Sequence, residues 1–183
     1  MIFLSAGHYP ERAGACFDSF CEHFEAVRWV NEIAGIIDTE CVIVPSGVLK
    51  KKARYINSYD TGGIKSLCID IHFNSAMKSG KHVGSGSECL YMPDSQRGAY
   101  LANELQKAIV ADGVIRDRGI KEGWYRMNRL NGPDYFLSKT KWPAVIIEPE
   151  FIQHVDRITD NRNIVCSRLA ESLLLIHKEW KES

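Results

Sequence analysis

The sequence predicts an α/β fold in a single domain, and three observations predict it. Short apolar runs alternate along the chain with longer stretches of helical period. The short runs are rich in Val and Ile, which suits buried strands. No internal repeat, low-complexity tract or Pro/Gly/Ser-rich linker divides the 183 residues. A chain of that length suits one domain, burying roughly 70% of the surface its unfolded form exposes.

The strand candidates, in order, are Ile2–Ser5, Cys41–Val44, Leu67–Ile71, Glu88–Met92 and Ala144–Ile147. Helices are expected between them. The first begins near Ser19, where Ser19-x-x-Glu22 has capping-box spacing, and runs to about Ala34. The second starts after Asp94-Ser95, carries Leu101, Ala102, Leu105, Ala108 and Ile109 on one side, and stops at Gly113. The last follows Thr159-Asp160, with Val165, Leu169, Leu173, Ile176 and Trp180 at helical spacing. From about Val114 to Lys141 there is no clear period, so this segment reads as long loops, which in compact domains are often functional.

Composition narrows the class of partner. Lys+Arg and Asp+Glu balance at 23 each, which gives no basic excess for nucleic acid. No run reaches the ~18 to 20 apolar residues that span a membrane. Met1-Ile2-Phe3-Leu4 lacks the basic n-region and the length of an export signal, so the expectation is a chain made in the cytoplasm without a signal peptide. The six cysteines form no C-x-x-C pair. Cys41 and Cys68 lie inside apolar runs, and reduced thiols are expected throughout.

Three strand candidates end in a residue capable of ligation or base chemistry. Ile2-Phe3-Leu4 leads to His8, Leu67–Ile71 leads to His72, and Ala144–Ile147 leads to Glu148. Ligands in open α/β sheets bind outside the carboxyl ends of the strands, so parallel strands would bring these three to one edge. Helix phase adds a fourth group. Glu22, Ala26, Trp29 and Ile33 recur on one stripe, while Glu25 shares its face with Arg28 and Glu32 in a pattern of solvated charge. Phase favours Glu22 over Glu25 as the buried carboxylate and does not exclude His23.

Two histidines, a carboxylate and an open position make a catalytic zinc site. Zinc lowers the pKa of a bound water to about 7 and polarises a carbonyl, and a nearby carboxylate that does not ligate can carry the proton. Taken singly, each residue has a plainer reading. A strand-end His is commonly a structural hydrogen-bonding residue, Glu22 a capping acid, and Glu148 the partner of an Arg or Lys.

The sequence resembles the zinc-dependent N-acetylmuramoyl-L-alanine amidases of the amidase 3 family over nearly its whole length. Ala6-Gly7-His8 is similar to the family's Pro-Gly-His, and Ile71-His72-Phe73-Asn74-Ser75 to its Ile-His-x-Asn-x, with Ile56-Asn57 matching an Ala-Asn-like pair. Gly86-Ser87-Glu88-Cys89-Leu90-Tyr91 resembles Gly-Val-Glu-x-x-Tyr, and Arg118-Gly119-Ile120-Lys121 resembles Arg-Gly-Val-Lys. Pro143-Ala144-Val145-Ile146-Ile147-Glu148 matches the strand with the catalytic glutamate, with Phe151 at the family's Phe position.

The resemblance implies Zn2+ held by His8, Glu22 and His72, with Glu148 as general base. It implies a twisted, mainly parallel sheet of about six strands flanked by helices, in one amidase domain covering 1–183. The implied substrate is peptidoglycan, cut between N-acetylmuramic acid and the L-alanine of the stem peptide. A monomeric lytic enzyme of the phage endolysin type is expected, reaching the cell wall after release or delivery. The rival functions are a related zinc peptidase or acylase and a non-catalytic peptidoglycan-binding module.

The chain departs from the family pattern in four places. Tyr9-Pro10 replaces Gly-Gly after the first His, Val44-Pro45 replaces Thr-Arg, and Glu150 replaces a glycine, adding a carboxylate near the site. Asp70 stands where a serine is usual and shares a strand face with His72. It reads equally as an orienter of the ligand imidazole or as a solvated acid. His82, His154 and His177 are expected at the surface.

Overall fold

The computed structural model describes residues 1–124 and 132–182. Strand β1 (Ile2–Ala6) is followed by a small hairpin, β2 (Cys16–Phe17) and β3 (Phe20–Cys21), then helix α1 (Glu22–Ile37) and β4 (Cys41–Ile43). Next come α2 (Leu49–Ser58), β5 (Leu67–Ile71), a second hairpin of β6 (Met77–Lys78) and β7 (Lys81–His82), β8 (Ser87–Tyr91) and α3 (Gln96–Val110). β9 (Asp117–Glu122), α4 (Tyr135–Lys139), β10 (Ala144–Glu148) and α5 (Val155–Glu182) complete the described elements.

Six strands form the main sheet in the order β4-β1-β5-β10-β8-β9. β4, β1, β5 and β10 run parallel, whereas β8 is antiparallel to β10 and β9 parallel to β8. The sheet is thus mainly parallel, as the resemblance implied. Strand alternation decides which helix covers which face. Ile2 and Leu4, Leu67, Ile69 and Ile71, and Val145 and Ile147 pack in one core with α1, α3 and α5. Phe3, Cys68, Ala144 and Ile146 face the other way, toward Ile56 of α2 and Phe136 and Leu137 of α4. With both faces covered, β1 and β5 are buried along their whole length, which is why they read as continuous apolar runs.

Several expectations about elements are corrected. The capping box does not form, because Ser19 lies in the turn of the β2–β3 hairpin and Cys21 is the residue before α1. The carbonyls of Ala15 and Ala13 take the first helix N–H groups, from Glu22 and His23, which leaves the Glu22 side chain for other work. α5 begins at Val155, and Thr159 bonds back to the carbonyls of Val155 and Asp156 inside the helix rather than capping it.

Part of the segment read as loops is β9, an edge strand whose polar residues conceal it because an edge needs no two-sided apolar pattern. The remainder of that reading extends over 125–131, outside the described residues. α2 was hidden by its three consecutive lysines, since only Lys52, Ala53 and Ile56 of it are buried. The reduced-thiol expectation is also corrected. Antiparallel pairing sets Cys16 opposite Cys21 and they form a disulfide, while Cys41, Cys68, Cys89 and Cys166 are free. No described helix is long and apolar enough to cross a membrane.

Candidate metal and catalytic site

β1 and β5 are neighbours in parallel register, with Ala6 opposite Ile71, so the residues that follow them leave the sheet side by side. His8 turns out of β1 through Gly7 with a positive φ of 57°, a backbone conformation costly for a residue with a Cβ and typical of functional sites. His72 directly follows β5. The two imidazole centroids lie 5.1 Å apart.

Glu22 reaches the pair from the first turn of α1. Its Oε1 lies 2.8 Å from His72 Nδ1 and accepts the Phe73 N–H at 3.2 Å. Its Oε2 lies 3.0 Å from His8 Nε2 and accepts the Ala15 N–H at 3.1 Å. Two backbone donors therefore aim the carboxylate at two imidazoles. Burial opposes its charge, but the hydrogen bonds from His72 and His8 prevail and hold its pKa at about 2. Burial likewise opposes an imidazolium at His72, yet Asp70 and Glu22 on either side push that ring up to about 10.

One ligand atom from each of His8, Glu22 and His72 lies within 4.8 Å of the others, the one such group of three or more found among the described residues. The His72 Nδ1–Glu22 Oε1 and His8 Nε2–Glu22 Oε2 separations, 2.8 and 3.0 Å, are close to the edge of a tetrahedron with bonds of about 2 Å. The surroundings fit such an ion. A Cβ on Gly7 would lie 2.7 Å from the His72 ring, and one on Gly14 would lie 2.5 Å from both Glu22 Oε2 and His8 Cδ2. Glycine at both positions is what lets the three side chains converge.

Glu148 ends β10, beside β5 in the sheet, where the His72 N–H donates to Ile147 O at 2.9 Å. It is half-buried and lines two hollows that meet at His8 and His72. The larger, about 730 Å³, extends past Tyr9, Trp124 and Tyr135. The smaller, about 380 Å³, extends past Asn74, Glu88 and Lys121.

Other sequence candidates land elsewhere. His23 is buried and its Nδ1 lies 2.7 Å from Gly7 O, so it braces the turn into His8 and stands outside the three-residue cluster. Glu25 is buried rather than solvated, accepting from Trp29 Nε1 and Arg28 and bridging to Arg162 of α5. Glu150 accepts the Gly86 and Phe151 N–H groups and an Arg157 N–H, which holds the loop before β8. His177 is fully buried, not at the surface, with Nδ1 2.6 Å from Glu40.

Asp70 is fully buried with one oxygen 3.2 Å from His72 Nε2, which removes the solvated reading. Its other oxygen accepts from Lys52 Nζ at 3.2 Å. Lys52 was missed, although it precedes Ile56 by one helical turn, the available signal that it faces inward. Glu88, which opens the Glu-x-x-Tyr stretch of β8, is a further functional residue that the strand pattern alone does not single out. It is buried, accepts from Asn74 Nδ2 at 2.6 Å and from Arg118 at 2.8 Å, and pairs with Lys121.

A largely parallel α/β sheet with two imidazoles and Glu148 at the ends of its strands, met by Glu22 from α1, has the makeup of a hydrolase with a candidate metal site. The family model described as N-acetylmuramoyl-L-alanine amidase, amidase 3, matches residues 2–164, and the chain belongs to that family of peptidoglycan amidases. The Bacillus subtilis (strain 168) protein YqiI is 26% identical over 165 residues, covering 82% of this chain and 69% of its own length. The crystal structure of N-acetylmuramoyl-L-alanine amidase from Clostridium difficile 630 superposes with a TM-score of 0.75 at 22% identity, covering 100% of this chain and 96% of that one. The catalytic domain of the CD27L endolysin targeting Clostridia difficile has a TM-score of 0.69 at 23% identity, with coverage of 95% and 96%. The structural likenesses bear on the fold, and the fold agrees.

Proposed function

We propose that this protein cleaves the amide between N-acetylmuramic acid and L-alanine of peptidoglycan, using zinc held by His8, Glu22 and His72 and Glu148 as general base, with 1–183 acting as one amidase domain. The observation that carries this reading is the approach to within 4.8 Å of one ligand atom from each of His8 and His72, beyond neighbouring parallel strands, and Glu22, from the first turn of α1. When bound there, zinc would supply Lewis-acid activation of water and of the scissile carbonyl. Glu148, in the same hollow, takes a proton from the attacking water and returns it to the leaving amide nitrogen. The two backbone donors on Glu22 keep its carboxylate aimed, so no reorganisation is needed as charge develops. The hollows on either side supply room for the sugar and the stem peptide.

A lytic role for a monomer acting on the cell wall belongs to the same proposal, and it is supported by the likeness to the CD27L endolysin catalytic domain. Digestion of purified peptidoglycan tests the reaction. The expected products are free stem peptides with an L-alanine amino terminus; cuts only within the peptide would replace this reading with a zinc peptidase. Metal analysis of the same preparation should find about one zinc per chain, lost in His72→Ala. Binding of peptidoglycan without any release would leave a non-catalytic module. A fall in turbidity of cells treated with the protein tests the lytic part.

A further inference from the structure

Lys52 is an anomaly on its helix. Its neighbours Lys50, Lys51 and Arg54 are exposed, yet the Lys52 side chain is fully buried, as is its partner Asp70. A buried ammonium without compensation is costly, so its contacts explain its placement. Nζ donates to Ala6 O at 2.5 Å and to Asp70 Oδ1 at 3.2 Å. Ala6 is the last residue of β1, two before His8, and Asp70 lies on β5, two before His72. One ammonium therefore ties together the strand ends that carry both imidazoles.

The other oxygen of Asp70 continues the chain, lying 3.2 Å from His72 Nε2. With Nε2 turned to Asp70, Nδ1 is the nitrogen that faces Glu22. The ring is also pressed against Gly7, where even a methyl group would come within 2.7 Å, which restricts its rotation. Asp70 alone would set a second buried carboxylate close to Glu22. Paired with Lys52, it can hold the imidazole without adding net charge beside the cluster.

We infer that Lys52 and Asp70 act as a unit that positions His72 for metal binding, presenting Nδ1 to the ion and holding the two histidine-bearing strand ends in register. This rests on the zinc reading above. Neither residue is a catalytic residue, since each acts through His72. A carboxylate behind a ligand imidazole fixes its tautomer and orientation, and loss of such a partner weakens metal binding about 10- to 100-fold.

The test is zinc affinity by chelator competition in the full chain, with thermal unfolding of the metal-free protein measured beside it. Lys52→Met and Asp70→Asn should each raise the zinc dissociation constant about 10- to 100-fold. The double variant should be little worse than the weaker single one, because paired residues are non-additive. Lys52→Arg, which keeps the charge, should weaken zinc binding less than Lys52→Met does. The visible spectrum of the cobalt-substituted Asp70→Asn protein should shift, an effect that a role confined to packing would not produce.

Unchanged zinc affinity and an unchanged cobalt spectrum, with only the melting temperature lowered, would overturn the inference. If Lys52→Met does not fold, Asp70→Asn decides it by the same two readouts. A parent protein that binds no zinc would overturn the metal reading itself, whereas a zinc-binding parent with unaffected variants sinks the positioning role alone.

Discussion

Cys16 and Cys21 are joined by a disulfide across the β2–β3 hairpin, and Cys21 is the residue immediately before Glu22. The hairpin also brings Ala15, whose N–H donates to Glu22 Oε2. The bond thus closes the loop from which the carboxylate of the His8–Glu22–His72 cluster is aimed. A loop this short, cross-linked, is worth roughly 2 kcal/mol through the entropy it removes from the unfolded chain. Reduction, or the paired change Cys16→Ser and Cys21→Ser, should lower the melting temperature by about 4–8 °C. Zinc affinity should fall with it, and chelator competition under reducing and oxidising conditions checks this.

Glu148→Ala should abolish release of stem peptides from peptidoglycan while zinc remains bound. Loss of a general base costs about 10²- to 10⁴-fold in rate. Product release assayed beside metal content separates the two effects, and unchanged activity would remove Glu148 from the mechanism.

Gly7→Ala introduces a methyl group 2.7 Å from Cε1 and Nδ1 of His72. The ring must shift to accommodate it, and overpacking of this kind costs about 1–3 kcal/mol. The expected result is at least about a tenfold weaker zinc affinity, by the same logic that governs the groups orienting a ligand. Gly62→Ala, where a Cβ meets open space but the backbone φ is +59°, is the control. It should lower stability without moving the zinc dissociation constant.

Glu88, which lines the smaller hollow beside the three clustered residues, supplies a pH dependence of stability. Burial opposes its charge, but Lys121, Arg118 and Asn74 prevail and hold its pKa below the ordinary 4.5. A carboxyl depressed in the folded state contributes stability that is fully present above 4.5 and is lost as pH falls through the folded value. Glu88→Gln should therefore lower stability at pH 7 by about 1–3 kcal/mol, as expected when one partner of a buried charged network is removed. The gap between variant and parent should stay constant above about pH 5 and narrow below 4.5, which urea unfolding at several pH values would measure.

Much of this molecule is legible in its sequence. The strands β1, β5 and β10 showed themselves because burial on both faces demands unbroken apolar runs. His8, His72 and Glu148 stood out because each interrupts or ends such a run with a polar group. β9 and α2 did not, for opposite reasons. β9 is an edge strand with little to bury, and α2 turns only a narrow stripe, including a lysine, toward the sheet. Glu25 was misread because its burial depends on α5, whose Arg162 lies 137 residues away.

The sequence by itself determined the α/β class, the strand ends that carry the chemistry and the phase that turns Glu22 inward. These are local properties, set by a period of two or 3.6 residues along the chain. Only the tertiary structure decided that β1 lies beside β5, that Glu22 rather than His23 meets both imidazoles, that Cys16 bonds Cys21, and that Lys52 is sealed beneath Asp70. Lys52 and Asp70 are 18 residues apart, and Glu22 and His72 are 50 apart. No periodicity specifies such pairs; they are selected by the packing of whole elements, in which a buried charge is tolerated only where a distant counter-charge arrives to meet it.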